Sequence, residues 1–167
     1  FVAVVSDAAY SDWTILEADG CADCIDLSPL WLVSYSNQDI VGTQTLLDGG
    51  LTVRLENNTW TRSSTTYTIT PNTVIEFEFS STNQGEIHAI GFEADNTHAS
   101  GSLMRVYGTQ NYGNGTYDNY PGSGTVVYQI PIGQYYTGSS MYLVLINDHD
   151  AGSGNNSTFS RIRLFEQ

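Results

Sequence analysis

Ile75-Glu76-Phe77-Glu78-Phe79-Ser80 puts an apolar side chain at every second position and a polar one between. Successive side chains of an extended backbone point to opposite faces, so the stretch predicts a strand with one buried face and one wet face. The alternation continues outward. Leu51, Val53 and Leu55 alternate with Thr52, Arg54 and Glu56, and Ser160, Ile162 and Leu164 alternate with Arg161, Arg163 and Phe165. Two runs, 87–92 and 141–146, are apolar on both faces and are expected in the middle of sheets. Further strands are predicted over 30–36, 65–69, 103–107 and 125–130. Turn residues separate them at Asp48-Gly49-Gly50, Glu56-Asn57-Asn58, Pro71-Asn72, Asn83-Gln84-Gly85, Pro121-Gly122 and Gly152-Ser153-Gly154. No amphipathic helix is legible. The expected fold class is all-β, an antiparallel β-sandwich of jelly-roll type, with a closed barrel as the competing architecture. Residues 30–167 form the expected sandwich, and 1–29 read as an N-terminal wrap or linker segment of the same module.

At 167 residues the chain suits one domain. Its formal charge is −13, from 18 acidic residues against five basic ones, all arginine. Such a surface repels phosphate backbones and anionic lipid, which argues against nucleic-acid and membrane partners. No apolar run reaches the length of a membrane span. The start at Phe1 suggests a removed leader or upstream domains. Composition points to a secreted, extracellular protein whose solubility rests on carboxylates. Cys21-Ala22-Asp23-Cys24 then reads as a local disulfide, since two ligands make no zinc site and no βαβ pattern surrounds them.

The segment 107–122 holds Tyr107, Tyr112, Tyr117 and Tyr120 among Gln110, Asp118 and several Asn and Gly. Tyrosine offers broad contact at low entropic cost, and pyranose C–H faces stack on aromatic rings while hydroxyls seek amides and carboxylates. A saccharide surface is therefore one reading of this loop. Packing of its tyrosines onto the domain is the other. Trp60 follows a turn and is read either as a platform or as packing; Trp31 is read as core, and Trp13 is unassigned.

Acidic groups collect at two predicted strand ends, Glu93, Asp95 and Asn96 after one and Asn147, Asp148 and Asp150 after another. Hard cations such as calcium take carboxylate and amide oxygens from loops, so these six are candidate ligands if the two ends are neighbours. Turn capping explains the same residue types, and the spacing is not that of an EF-hand. Asp7, Asp12, Glu17, Asp19, Asp23, Asp26 and Asp48 supply a second, unspecific acidic set. His88 shares a predicted strand face with Glu86 and could bind metal, move a proton or make a satisfied hydrogen bond. Arg54, Arg105, Arg161 and Arg163 are expected to pair across strands with Glu56, Glu76 and Glu78. Glu76 with Glu78 would provide the residue types of a glycosidase, though alternating carboxylates on a wet strand explain them equally. No nucleophile elbow, phosphate loop or His-Glu-x-x-His motif occurs.

Several stretches together resemble bacterial non-catalytic carbohydrate-binding modules of β-sandwich type, as appended to secreted polysaccharide-degrading enzymes. They are Glu76-Phe77-Glu78-Phe79-Ser80-Ser81-Thr82, the run from Gln84 to Phe92, Val106-Tyr107-Gly108-Thr109-Gln110, Tyr135-Tyr136-Thr137-Gly138, Asn147-Asp148-His149-Asp150-Ala151, and the run from Phe159 to Glu166. They cover most of residues 30 to 167. The resemblance implies a sandwich fold, no catalysis, often a bound calcium, a polysaccharide partner and a covalently attached catalytic domain. The expected saccharide-binding residues are Trp60, Glu86, His88, Tyr107, Gln110, Tyr112, Tyr117, Asp118, Tyr120 and His149. A small glycoside hydrolase or polysaccharide lyase using Glu76, Glu78, Glu86 or His88 is the second reading, and a calcium-dependent adhesin or structural domain the third.

Overall fold

In the computed structural model, residues 21–30, 32–38 and 41–167 are described. Trp13, Trp31 and the acidic candidates Asp7, Asp12, Glu17 and Asp19 lie outside them, as does most of the predicted N-terminal wrap. Ten strands lie among the described residues: β1 (Val33–Ser34), β2 (Thr43–Leu47), β3 (Thr52–Glu56), β4 (Thr59–Ile69), β5 (Thr73–Ser80), β6 (Ile87–Glu93), β7 (Leu103–Tyr107), β8 (Val126–Ile130), β9 (Gly138–Asp148) and β10 (Asn156–Glu166). They form two five-stranded antiparallel sheets, ordered β1-β4-β9-β6-β7 and β2-β3-β10-β5-β8. Strands pair in nested fashion, β6 with β7, β5 with β8, β4 with β9 and β3 with β10. Nested pairs that alternate between two sheets define the jelly roll the alternation predicted.

Between the sheets, Val53, Leu55, Ile75, Phe77, Phe79 and Phe159 meet Ile90, Phe92, Leu143 and Leu145, all without exposed surface. The period-2 pattern puts β5 here: Ile75, Phe77 and Phe79 face in, while Glu76 and Glu78 face out to Arg163 and Arg161 at 2.6 and 3.0 Å. Those two ion pairs are the expected cross-strand ones. Arg54 instead reaches Glu56 two residues along its own strand, and Arg105 takes Asp118. The Cys21–Cys24 disulfide is formed.

One predicted alternation breaks phase. In β10 the register shifts between Ser160 and Arg163, where Arg161 has φ of 49°. The extra residue of this β-bulge lets Phe159 and Ile162 both face inward, although three positions apart. The strand predicted over 30–36 is also shorter than expected, with Leu30 closing a 3-10 turn and only Val33–Ser34 paired.

β6 and β9 are buried on both faces, as the doubly apolar runs required. The second covered face lies outside the sandwich. There Tyr35, Trp60, Ile87, Ala89, Leu103, Val144 and Ile146 form a separate apolar layer with Tyr112 against it. Segments 94–102 and 108–118 carry the residues that roof this layer and position the site.

Candidate functional site

The roofed layer leaves a cleft of about 150 Å³ lined by Gln38, Trp60, Ile87, His98, Gln110, Tyr112, Asp148 and Asp150. Its floor follows from register. Trp60 pairs with Ile146 on β9, and Asp148, two residues on, shares that face. Trp60 Nε1 therefore donates to Asp148 Oδ1 at 2.6 Å, which fixes the indole with one face toward Tyr35. His98 meets the indole edge-on at 5.9 Å between centroids, and Tyr112 lies at 6.0 Å. Tyr112 Oη and His98 Nδ1 hydrogen bond at 2.7 Å, closing an aromatic wall.

The opposite wall is acidic. One ligand atom each from Glu86, Asp148 and Asp150 lies within 4.8 Å of the others. Three donors orient these carboxylates: Trp60 Nε1 on Asp148, Asn58 Nδ2 on Asp150 Oδ1 at 3.0 Å, and the Asp150 amide on Glu86 Oε2 at 2.7 Å. Among the described residues no donor meets the second oxygen of any of the three. Burial pushes the Asp148 carboxyl above the ordinary aspartate range; the Trp60 hydrogen bond opposes that, and Asp150 and Glu86 add to it. A cation placed among the three relieves both the burial and the repulsion. The donor set is all oxygen, as a hard ion requires, and three carboxylates leave about half of calcium's six to eight positions to water or ligand hydroxyls.

The loop bearing Gln110 is tied down on two sides. Its backbone extends the edge of β6, with Thr109 N on Gly85 O at 3.2 Å and Gln110 N on Glu86 O at 2.8 Å. Arg105 holds it from behind, binding Asp118 at 2.9 Å, Gln110 O at 2.5 Å and Asn111 Oδ1 at 3.2 Å. Gly108, with φ of 132°, sits where an added Cβ would fall 2.3 Å from Glu86 O, so only glycine lets the loop approach so closely.

Of the expected saccharide-binding residues, the fold brings Trp60, Gln110 and Tyr112 together in the cleft, with Glu86 at the acidic wall and His149 Nδ1 3.6 Å from Glu86 Oε2. Others lie elsewhere. Tyr120 is no platform: it is 6% exposed, and its hydroxyl accepts from Ser81 N and donates toward Ser81 O and Gly124 O at 2.7–3.0 Å. Tyr107 packs between His88 and Tyr120, and Tyr117 leans on Tyr135. His88 is fully buried among Gly85, Ser157 and Phe79, the satisfied core histidine among its readings. Asp118 is occupied by Arg105.

The six-ligand calcium set is corrected by register. β6 and β9 run antiparallel with Ile87 opposite Asp148 and Glu93 opposite Tyr142, so the two acidic ends are six residues apart, roughly 20 Å along the sheet. Glu93 instead accepts from Ala99 N, Asp95 from Thr97 N and Asn96 from Arg62. Asn147 is spent inside, bonding Asn57 O and Ser157 Oγ. Asp148 and Asp150 remain, joined by Glu86. Gln38 and His98 were missed, because only the folded-back loops bring them to the cleft, as was Asn58, which holds Asp150.

No protein family matches the chain, and no curated protein does. Among solved structures it is similar to the C-terminal CBM6 of LamC, a marine laminarinase from Zobellia galactanivorans, at 14% identity and a TM-score of 0.38, over 81% of this chain and 99% of that one.

Proposed function

We propose that this chain is a secreted, non-catalytic carbohydrate-binding module that holds an attached enzyme at a polysaccharide. The observation that carries the reading is the cleft itself, which sets Trp60, Tyr112 and His98 opposite Gln38, Gln110 and three carboxylates in a space suited to one sugar unit. Rings take the C–H face of a sugar and the amides and carboxylates take its hydroxyls. Tethering such a module to a catalytic domain raises the enzyme's effective concentration at an insoluble substrate. With a neutral glycan, calcium is the cation we assign to Glu86, Asp148 and Asp150, where it would offset their charge.

Two features weigh against catalysis. Glu76 and Glu78 are held in ion pairs on the outer face of the other sheet. Glu86, Asp148 and Asp150 gather on one wall within 4.8 Å, whereas glycosidase carboxylates flank the scissile bond about 5 Å or more apart.

Affinity electrophoresis through gels containing neutral, acidic and basic polysaccharides, with and without EDTA, tests this reading. Retardation by at least one polymer is expected. Tyr112→Ala should weaken it tenfold or more, and Tyr117→Ala less than twofold. Release of reducing ends or unsaturated products by the parent protein would overturn the proposal, as would retention by none of the polymers.

A further inference from the structure

We infer that the saccharide this cleft selects carries its own positive charge: a protonated amino sugar, its ammonium seated among Glu86, Asp148 and Asp150. The inference rests on the cleft being the saccharide site. Each carboxylate has one oxygen fixed by a protein donor, Trp60 on Asp148, Asn58 on Asp150 and the Asp150 amide on Glu86, and among the described residues the other oxygen has none. The three carboxylates thus converge, with one oxygen of each within 4.8 Å of the others. An ammonium group presents three N–H donors, which matches that number. A neutral hydroxyl supplies one donor and leaves the acidic repulsion in place.

A second observation lies directly beside the carboxylates. Asn58 is 1% exposed, its Nδ2 lies on Asp150, and its buried Oδ1 has no hydrogen-bond partner. An orphaned buried carbonyl oxygen costs free energy, and this one belongs to the amide that holds Asp150 from behind. The aromatic wall of Trp60, His98 and Tyr112 beside the acids is compatible with this, since aromatic rings attract cations as well as sugar C–H groups. No arginine is among the described residues that line the cleft, and the basic group beside the acids is His149, with Nδ1 3.6 Å from Glu86 Oε2. At long range, a net charge of −13 draws a polycation toward the module and repels uronate or sulfate polymers.

Isothermal titration of the full chain in EDTA, in mildly acidic buffer, with glucosamine hexamer, N-acetylglucosamine hexamer and a neutral glucan hexamer separates the outcomes. The expected result is binding of the glucosamine hexamer at least tenfold tighter than the other two. Asp150→Asn should lose at least tenfold of that affinity; Asp150 is exposed, so the variant is expected to fold, and Glu86→Gln provides a second test. Glu166→Gln, at the far end of β10, removes the same charge and should change binding less than twofold. Equal losses in Asp150→Asn and Glu166→Gln would reduce the binding to net charge and overturn the inference. Preference for the acetylated or neutral hexamer would overturn it while leaving the proposed function standing. Binding of no saccharide, here or in the gels, would remove both.

Discussion

His88 has its protonation written into its neighbours. Gly85 N–H donates to Nε2 at 2.6 Å, so Nε2 is an acceptor and the proton sits on Nδ1, facing Ser157 Oγ at 2.7 Å; Ser157 passes its own proton to Asn147 Oδ1 at 2.9 Å. A second ring proton would oppose the Gly85 N–H inside the core. Burial, the main cause, lowers the His88 pKa to about 4. The unfolded chain therefore binds a proton more readily than the folded one between the ordinary histidine value and 4. Stability from this group is whole above about pH 6.5 and is lost as pH falls toward 4, at a cost of roughly 3 kcal/mol. Urea midpoints measured across that window should fall with pH in the parent protein and fall less in His88→Gln. Equal slopes would show that other groups carry the acid sensitivity. A histidine two positions from a glutamate offered no means of choosing among its three readings; the choice came from Ser157, 69 positions away.

Among the elements, the strands were legible and the loop tying them to the cleft was not. Alternation at Ile75, Phe77 and Phe79 reports burial directly, because strand side chains have only two faces to occupy. A tyrosine in a glycine-rich loop has no such constraint. Tyr112 turns to the outer layer and Tyr120 to the inner core, and what separates them is partners distant in sequence, His98 for one and Ser81 for the other. The bulge at Arg161 was hidden for a related reason, since an extra residue leaves no mark in an alternating stretch. At this scale Arg105 is the positioning residue of the site, joining β7 to Asp118, Gln110 and Asn111. Arg105→Met should cost about 1–3 kcal/mol in stability through the lost charged hydrogen bonds. It should also weaken saccharide binding by more than that stability loss would at a temperature where the variant is fully folded. Titration of the folded variant checks this; unchanged affinity would mean that the β6 edge bonds alone hold the loop.

Across the whole molecule, one sheet is shared by two apolar layers. The inner one is the sandwich core, where Phe159 meets Phe77 and Phe79 with ring centroids 6.0 and 5.2 Å apart. Phe159→Ala should cost about 3–5 kcal/mol, a large part of the ~5–15 kcal/mol a domain has. Chemical denaturation would show it as a lower midpoint at unchanged slope; a loss under 1 kcal/mol would mean the sheets close over the gap. The outer layer is where folding and the proposed recognition overlap, since Trp60, 4% exposed, is at once a packed side chain of β4 and part of the cleft floor. Change at that position disturbs the scaffold before it alters the proposed preference among sugars. Diversification, whether by natural drift or by a designed library, is thereby channelled to the rim at Gln38, His98 and Gln110, where new side chains can be tried while the architecture beneath stays intact.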